Sequence, residues 1–395
     1  MHILYFIDSL VAAGAEQSLA AVAPHLVEAG VELDVAYLHE RAGLQDQLRA
    51  AGANVVHVGG SGRIEWARRA TRMVRERRPD LVHTTLFEAD IAGRIGARIA
   101  GVPVVSSLVN EAYSKGQFAD PSVSSIKLRG ALACDRLTGG WVARWHAVSQ
   151  AVAEPMAPRL RIPRSRIEVI HRGRDEGLLG ERTLARAEVA RASLGIRSET
   201  PLVVAAARHE YQKGLDLLIR SWPAVLQKVP EARLFVAGRE GNQTVELQAL
   251  IESNRVSESV VLLGARNDVA ELLCAANVLV SPSRWEGFGG TVLEAMALEA
   301  PVVAADIPPY REIDDGQEIC VFVPVEDPEA LARGIIETLE CQDVAAGRAL
   351  RARARFLSEF TIGAVTRRTL DFYHQVLETH TPSTVASGAE VMRGG

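Results

Sequence analysis

The chain has 395 residues, with 44 lysines and arginines against 49 aspartates and glutamates and a formal net charge of −5. No global basic field marks it for nucleic acid, and aromatic residues, at 5%, are too few for a base-stacking surface. Hydrophobic residues at 48% and charged residues at 24% describe an ordinary folded chain, long enough for two domains at roughly 150 residues apiece.

Short apolar runs come first at 2–7, 31–38, 53–58, 81–85, 102–108, 144–149 and 167–171. Only Met1 and His2 precede the first of them, so no secretory leader is expected. No apolar run reaches the ~18 residues of a membrane span, and a cytoplasmic location is expected. Helix-like stretches at 15–29, 64–78 and 88–100 alternate with these strands. A charged interval follows at 172–200, with a helical stretch at 181–194. A second series of apolar runs then begins at 202–208, 232–238, 260–265, 278–283, 301–306 and 319–324. Helical stretches at 214–228, 244–254, 267–275, 291–299 and 327–340 separate them. Runs of Val, Leu, Ile and Ala without polar alternation are strands covered on both faces. Strand and helix in alternation predict an α/β architecture of two doubly wound, Rossmann-like sheets, with a ligand cleft between their carboxyl ends. Residues 1–175 and 176–363 are the expected domains. Residues 346–379 read as one long helix, and 381–395 as a disordered tail. Cys134, Cys274, Cys320 and Cys341 lie far apart and read as buried, reduced thiols.

Three segments carry chemistry. The sharpest runs from Ser283 to Ala297, with Glu286, Gly287, Phe288, Gly289, Gly290, Thr291 and Glu294. A buried strand ends there, glycines let a ligand approach the backbone, and a helix start offers N–H groups to an anion. A carboxylate at Glu286 or Glu294 can accept two sugar hydroxyls. Read alone, the segment also fits a plain tight turn with Glu294 near its helix start. The second is Arg208 to Gly214, where Arg208 and Lys213 stand at the carboxyl end of one strand and suit a diphosphate. A solvated loop is the plainer alternative. The third is the small-residue turn Ala12-Ala13-Gly14-Ala15 after the first strand. It is not G-x-G-x-x-G, so no nicotinamide or flavin cofactor is expected.

Together these segments resemble the retaining glycosyltransferases of family 4, which have the GT-B fold. The resemblance rests on Glu286-x7-Glu294 followed by Ala295-Met296-Ala297, and on the Arg208-x4-Lys213 pair. It also rests on Ala147-Val148-Ser149, and on Val169 to Asp175 against the family's V-I-P-N-G-V-D. It implies transfer of a sugar from a nucleoside diphosphate, UDP-linked in preference to GDP-linked, to an acceptor hydroxyl, with retention and without a metal. Arg208 and Lys213 would bind the diphosphate and act catalytically with Glu286, which would hold the transferred sugar. Phe288, Gly289 and Gly290 would offer their main chain, with Gly287 and Thr291 beside them. Glu294 would hold the ribose, Arg266 would flank the base, and Gly14 would face the β-phosphate or the acceptor. A final helix at about 364–380 would cross back to the first domain. His83, Asn110 and His146 are acceptor-side candidates, or structural residues at strand ends. Arg172 stands in place of the family's asparagine, and His171 in place of its proline. A non-catalytic module of the same fold that binds sugar nucleotides or partners is the alternative.

One surface feature stands apart. Arg63, Arg68, Arg69, Arg72, Arg75, Arg77 and Arg78 lie on a predicted helix with Ile64, Ala67, Thr71 and Val74 facing inward. It is either a solvated face or a weak contact, through 63–78, with the inner face of an anionic membrane.

Overall fold

The computed structural model describes residues 1–114, 118 and 124–380. The first seven apolar runs form strands β1 (His2–Ile7), β2 (Glu32–Tyr37), β3 (Asn54–His57), β4 (Leu81–Thr85), β5 (Val104–Leu108), β6 (Arg144–Ala147) and β7 (Ile167–Val169). All pair in parallel, in the order β3-β2-β1-β4-β5-β6-β7. The second sheet holds β8 (Leu202–Ala206), β9 (Arg233–Ala237), β10 (Val260–Gly264), β11 (Val278–Ser281), β12 (Val302–Ala305) and β13 (Cys320–Val323). It too is parallel, in the order β10-β9-β8-β11-β12-β13. Central strands are covered on both faces, as their unbroken apolar runs require: Ile3, Leu4, Phe6 and Ile7, like Leu202, Val203 and Val204, are almost fully buried.

Each sheet reverses its strand order once, between β1 and β4 and between β8 and β11. At such a reversal the loops leaving the two strands part in opposite directions, which opens a crevice at the carboxyl ends. The loops after β1 and β4 carry Gly14 and Leu86, and those after β8 and β11 carry Arg208 and Glu286. The sequence motifs therefore sit where the topology opens the chain.

The two halves meet through a shared apolar layer. Phe288 is buried and stacks on His171 with ring centroids 4.8 Å apart and 5° between planes, and Phe360 meets Phe288 edge-on at 5.7 Å. The residues 346–379 do not make one helix. The helix Gln342–Arg355 passes through a π turn at Phe356–Phe360, and a new helix spans Ile362–His380. The backbone is extended at Thr361, two residues before Gly363. Arg174 pairs with the backbone at this point: its N–H donates to the Phe360 carbonyl at 2.9 Å, and Ile362 donates to the Arg174 carbonyl at 2.8 Å. The last helix then packs Val365, Phe372, Tyr373 and Val376 into one core with Leu19, Ala23 and Leu26 of the helix Gly14–Glu28. The expected tail at 381–395 lies outside the described residues.

Two further expectations need correction. On the helix Arg63–Arg77, Ala67, Thr71 and Val74 are buried, but Ile64 is 79% exposed. It sits on the open side of a groove whose other wall is Ile91, Ile95 and Ile99 of the helix Phe87–Ala100. Cys274 and Cys320 are buried as expected, whereas Cys134 is only half-buried and Cys341 is exposed at the junction of two surface helices. Among the described residues no helix is long and apolar enough to cross a membrane.

Candidate active-site cleft

The loop after β8 makes a tight 3₁₀ turn at Tyr211–Lys213 and enters the helix Leu215–Lys228 through Gly214. Gly214 has φ +62°, and a Cβ there would lie 2.1 Å from the Pro282 carbonyl oxygen. Only glycine fits, because the loops after β8 and β11 touch at that point. The close approach brings Lys213 to Glu286, with Nζ 2.6 Å from Oε1. Ser283 donates its hydroxyl to the same carboxylate oxygen at 2.8 Å, and Tyr310 reaches it at 3.4 Å. Burial, with the Glu286 charge beside it, holds the Tyr310 phenol well above its ordinary pKa, so it stays a donor. Arg208 is half-exposed at the rim and faces Glu210 at 3.8 Å.

The glycine segment is shaped by contacts on both sides. Gly289 has φ +137°, and a Cβ there would meet the Tyr310 ring at 2.7 Å. A Cβ on Gly287 would lie 2.4 Å from the Val109 carbonyl oxygen, across the cleft, next to the backbone of Asn110. Ser149 donates its hydroxyl to the Gly287 carbonyl at 2.7 Å, again from the first sheet. The helix Gly290–Ala297 then begins without a side-chain cap, leaving its first N–H groups turned to the cleft. Thr291 is turned inward and donates to the Ala206 carbonyl at 3.2 Å.

Glu294 is not an open carboxylate. Arg174 of the connecting segment holds it, Nε to Oε1, at 2.7 Å, and the same guanidinium covers the α-carbon of Gly290 closely enough to occupy the place of a Cβ. The connecting segment thus leans over the helix start. Glu312 holds the halves together from the other side. Its carboxylate accepts from the N–H groups of Gln150 and Ala151, which open the helix Gln150–Leu160, at 2.7 and 3.1 Å, and from His171 Nε2 at 2.7 Å. Burial pushes its pKa up, but these three donors together bring it below the ordinary carboxylate value.

Residues Arg208, Lys213, Glu286, Gly287, Phe288, Gly289, Gly290, Thr291 and Glu294 therefore converge at one crevice, with the Phe288 side chain turned away into the shared core and the Thr291 hydroxyl turned to the end of β8. Gly14 faces them from the first sheet through Arg172, whose Nη1 is 2.7 Å from the place of a Gly14 Cβ. Arg266 lies apart, after the edge strand β10, paired with Asp268 at 2.5 Å. Asn110 is exposed on the opposite wall. His83 and His146 lie deeper, in one chain of hydrogen bonds. Ile170 offers only a carbonyl, so with both rings neutral His146 Nε2 donates to it at 3.0 Å. Ser107 then donates to His146 Nδ1 at 3.0 Å, His83 Nε2 to Ser107 at 2.7 Å, and Tyr373 to His83 Nδ1 at 2.7 Å. Burial holds His83 well below its ordinary pKa and brings His146 down to about 4, so both rings are neutral near pH 7. With Tyr5, Thr85 and Arg172 they line a cavity between the first sheet, the helix Gly14–Glu28 and the last helix.

Sequence reasoning gave no role to Glu312, Ser149 or Tyr310 and missed the contacts of Arg174. The available signal was the connecting segment, where two arginines stand at positions that resembled V-I-P-N-G-V-D.

Two family models match the chain: Glycosyltransferase Family 4 over residues 12–177 and Glycosyl transferases group 1 over residues 187–355. The lipopolysaccharide core biosynthesis mannosyltransferase LpsB of Rhizobium meliloti is 27% identical over 194 residues, covering 48% of this chain and 55% of LpsB. The match thus spans about half of that relative's length. The D-inositol 3-phosphate glycosyltransferase of Kineococcus radiotolerans is 28% identical over 330 residues, covering 77% of this chain and 73% of the relative. Among solved structures, HepE of Anabaena in complex with UDP-glucose superposes with a TM-score of 0.81 at 22% identity, covering 95% of this chain and 100% of HepE. The architecture is the GT-B fold.

Proposed function

Because the chain belongs to the group 1 glycosyltransferase family, we propose that it transfers a sugar from a nucleoside-diphosphate donor to an acceptor hydroxyl, with retention at the anomeric carbon. One observation carries the proposal. Lys213 and Arg208, on the loop after β8, stand beside the uncapped start of the helix Gly290–Ala297, at the reversal point of the second sheet. When the anomeric C–O bond breaks, negative charge grows on the departing phosphate. Two cations and a row of N–H groups fixed in place stabilise that charge without reorganising. This assigns the leaving-group charge to protein groups and not to a divalent metal.

Glu286, steadied by Lys213, Ser283 and Tyr310, is placed to accept hydroxyls of the transferred sugar. Glu294 would take the ribose hydroxyls once Arg174 swings off it. The acceptor would attack from the face the diphosphate leaves, giving its proton to the departing phosphate oxygen. A UDP-linked donor is favoured by the likeness to HepE, whose structure was solved with UDP-glucose. The mannosyltransferase relative keeps a mannosyl donor as the second reading.

A donor panel tests this: UDP-glucose, UDP-N-acetylglucosamine, UDP-galactose and GDP-mannose, scored by melting temperature and by slow donor hydrolysis in EDTA. One UDP-sugar is expected to raise the melting temperature in a concentration-dependent way and to be hydrolysed slowly. A preference for GDP-mannose would replace the UDP assignment, and no response to any donor would refute the function.

We also propose weak contact of the helix Arg63–Arg77 with an anionic bilayer at the cytoplasmic face. The groove beside it exposes Ile64 and Ile99 between Arg63, Arg68, Arg72 and Arg75, with Glu76 as one acidic neighbour, an apolar strip with a mainly basic margin. Flotation with anionic vesicles should exceed flotation with neutral ones. Equal flotation would leave the helix a solvated face.

A further inference from the structure

Arg174 occupies a place that electrostatics does not favour for a cation. Its guanidinium lies over the α-carbon of Gly290, the first residue of the helix Gly290–Ala297, whose start has no side-chain cap. The N–H groups of a helix start carry partial positive charge and favour an anion. Arg172, two residues earlier in the connecting segment, stands near enough to repel Arg174 as a like charge. Glu294, one turn further along the same helix, offsets both effects with a hydrogen-bonded ion pair at 2.7 Å. The other hydrogen bond of the guanidinium among the described residues runs from Nη1 to the neutral carbonyl of Gly173 at 3.0 Å.

The side chain can move without the chain that carries it. The backbone of Arg174 is pinned between Phe360 and Ile362 by hydrogen bonds of 2.9 and 2.8 Å. Glu294 is the carboxylate assigned above to the ribose hydroxyls. Once a ribose takes it, the guanidinium is left over the helix start without the ion pair that balanced it. The diphosphate of the same donor arrives at that helix start and carries the charge that is then missing.

We propose that Arg174 exchanges Glu294 for the donor diphosphate and becomes a third catalytic cation on the leaving group, beside Lys213 and Arg208. It donates hydrogen bonds and transfers no proton. As the anomeric C–O bond breaks, the electron pair stays on the phosphate oxygen, and the guanidinium stabilises that charge. The assignment rests on the glycosyltransferase reading of the cleft. It is particular to this chain, because the V-I-P-N-G-V-D pattern has a valine where Arg174 stands.

The test is titration calorimetry of UDP and of uridine with the full chain, for the wild type, R174M and R174K, together with hydrolysis of the UDP-sugar that the wild type accepts. Methionine keeps the apolar stem and removes the charge. R174M should bind UDP about tenfold or more weakly and hydrolyse the donor with a kcat about tenfold or more lower. It should bind uridine at least as tightly as the wild type, because uridine must part the ion pair and returns no anion to the guanidinium. R174K keeps the charge and should bind UDP within a few-fold of the wild type. The assignment is overturned if R174M binds UDP as tightly as the wild type or more tightly, which would make Arg174 a mere occupant of the ribose place. It is also overturned if R174M weakens UDP and uridine by the same factor, or if R174K is as weak as R174M, either of which would make the side chain structural. Failure of UDP to bind the wild type would instead refute the proposed function.

Discussion

Replacing Lys213 by methionine should lower kcat by about 10²–10³-fold, the usual result of removing one fixed donor from a developing oxyanion, roughly 3–4 kcal/mol. The ammonium is held at one place by Glu286 at 2.6 Å and is mostly shielded, so solvent screens it little. Methionine keeps the length and apolar stem of the side chain but cannot donate. The substitution also leaves Glu286 without its cation, and some stability should be lost with it. The double variant K213M/E286Q separates the two effects. It should recover the melting temperature of the wild type while remaining as inactive as K213M. Turnover by K213M at the wild-type rate would remove Lys213 from the chemistry and favour a module that binds without catalysing.

Replacing Glu312 by alanine should release the two halves. Three donors converge on this carboxylate, two of them backbone N–H groups of the helix start at Gln150 and Ala151. Hydrogen bonds to a charged acceptor are worth about 1.5–3 kcal/mol. We expect a fall in stability of about 2 kcal/mol or more, together with a fall in kcat as the walls lose their alignment. The sign of the pH dependence follows from the depressed pKa of Glu312. Its contribution is present above the ordinary carboxylate pKa and fades as pH falls through the lower value it has in the folded chain. The stability difference between the wild type and E312A, measured by urea unfolding, should therefore be large near neutrality and shrink in acid. A difference that stays constant with pH would mean that the carboxylate charge is not what joins the halves.

How much of this was legible depends on range. All thirteen strands were readable, because a strand buried on both faces leaves an unbroken apolar run such as Leu202 to Ala206. The donor-side crevice was readable for a related reason. Arg208, Lys213, Glu286 and Glu294 lie on short loops and helix starts after two strands, so their positions follow from local order. The helix Ser125–Gly139 was not seen. Its Leu128, Ala131 and Leu132 pack on the core only half-buried, while Ile126 and Leu137 are 83% and 75% exposed, so its apolar residues blur the stripe a buried helix would show. The break at Thr361 was also invisible, because the backbone it pairs with, at Arg174, lies in a distant part of the chain. The Glu312 latch joins residues 162 positions apart in sequence, which no local pattern encodes. Histidines at strand ends could be named but not placed. Only the structure shows that His83 and His146 are members of a buried relay and not a surface pair.

The diphosphate is the part of the donor that the cleft is built around, so the most direct measurement compares UDP, UMP and uridine on the wild-type chain by titration calorimetry. UDP should bind at one site per chain, with affinity falling stepwise as phosphates are removed and weakening as salt is raised. Equal binding of UDP and uridine, or no heat from any of the three, would contradict the account.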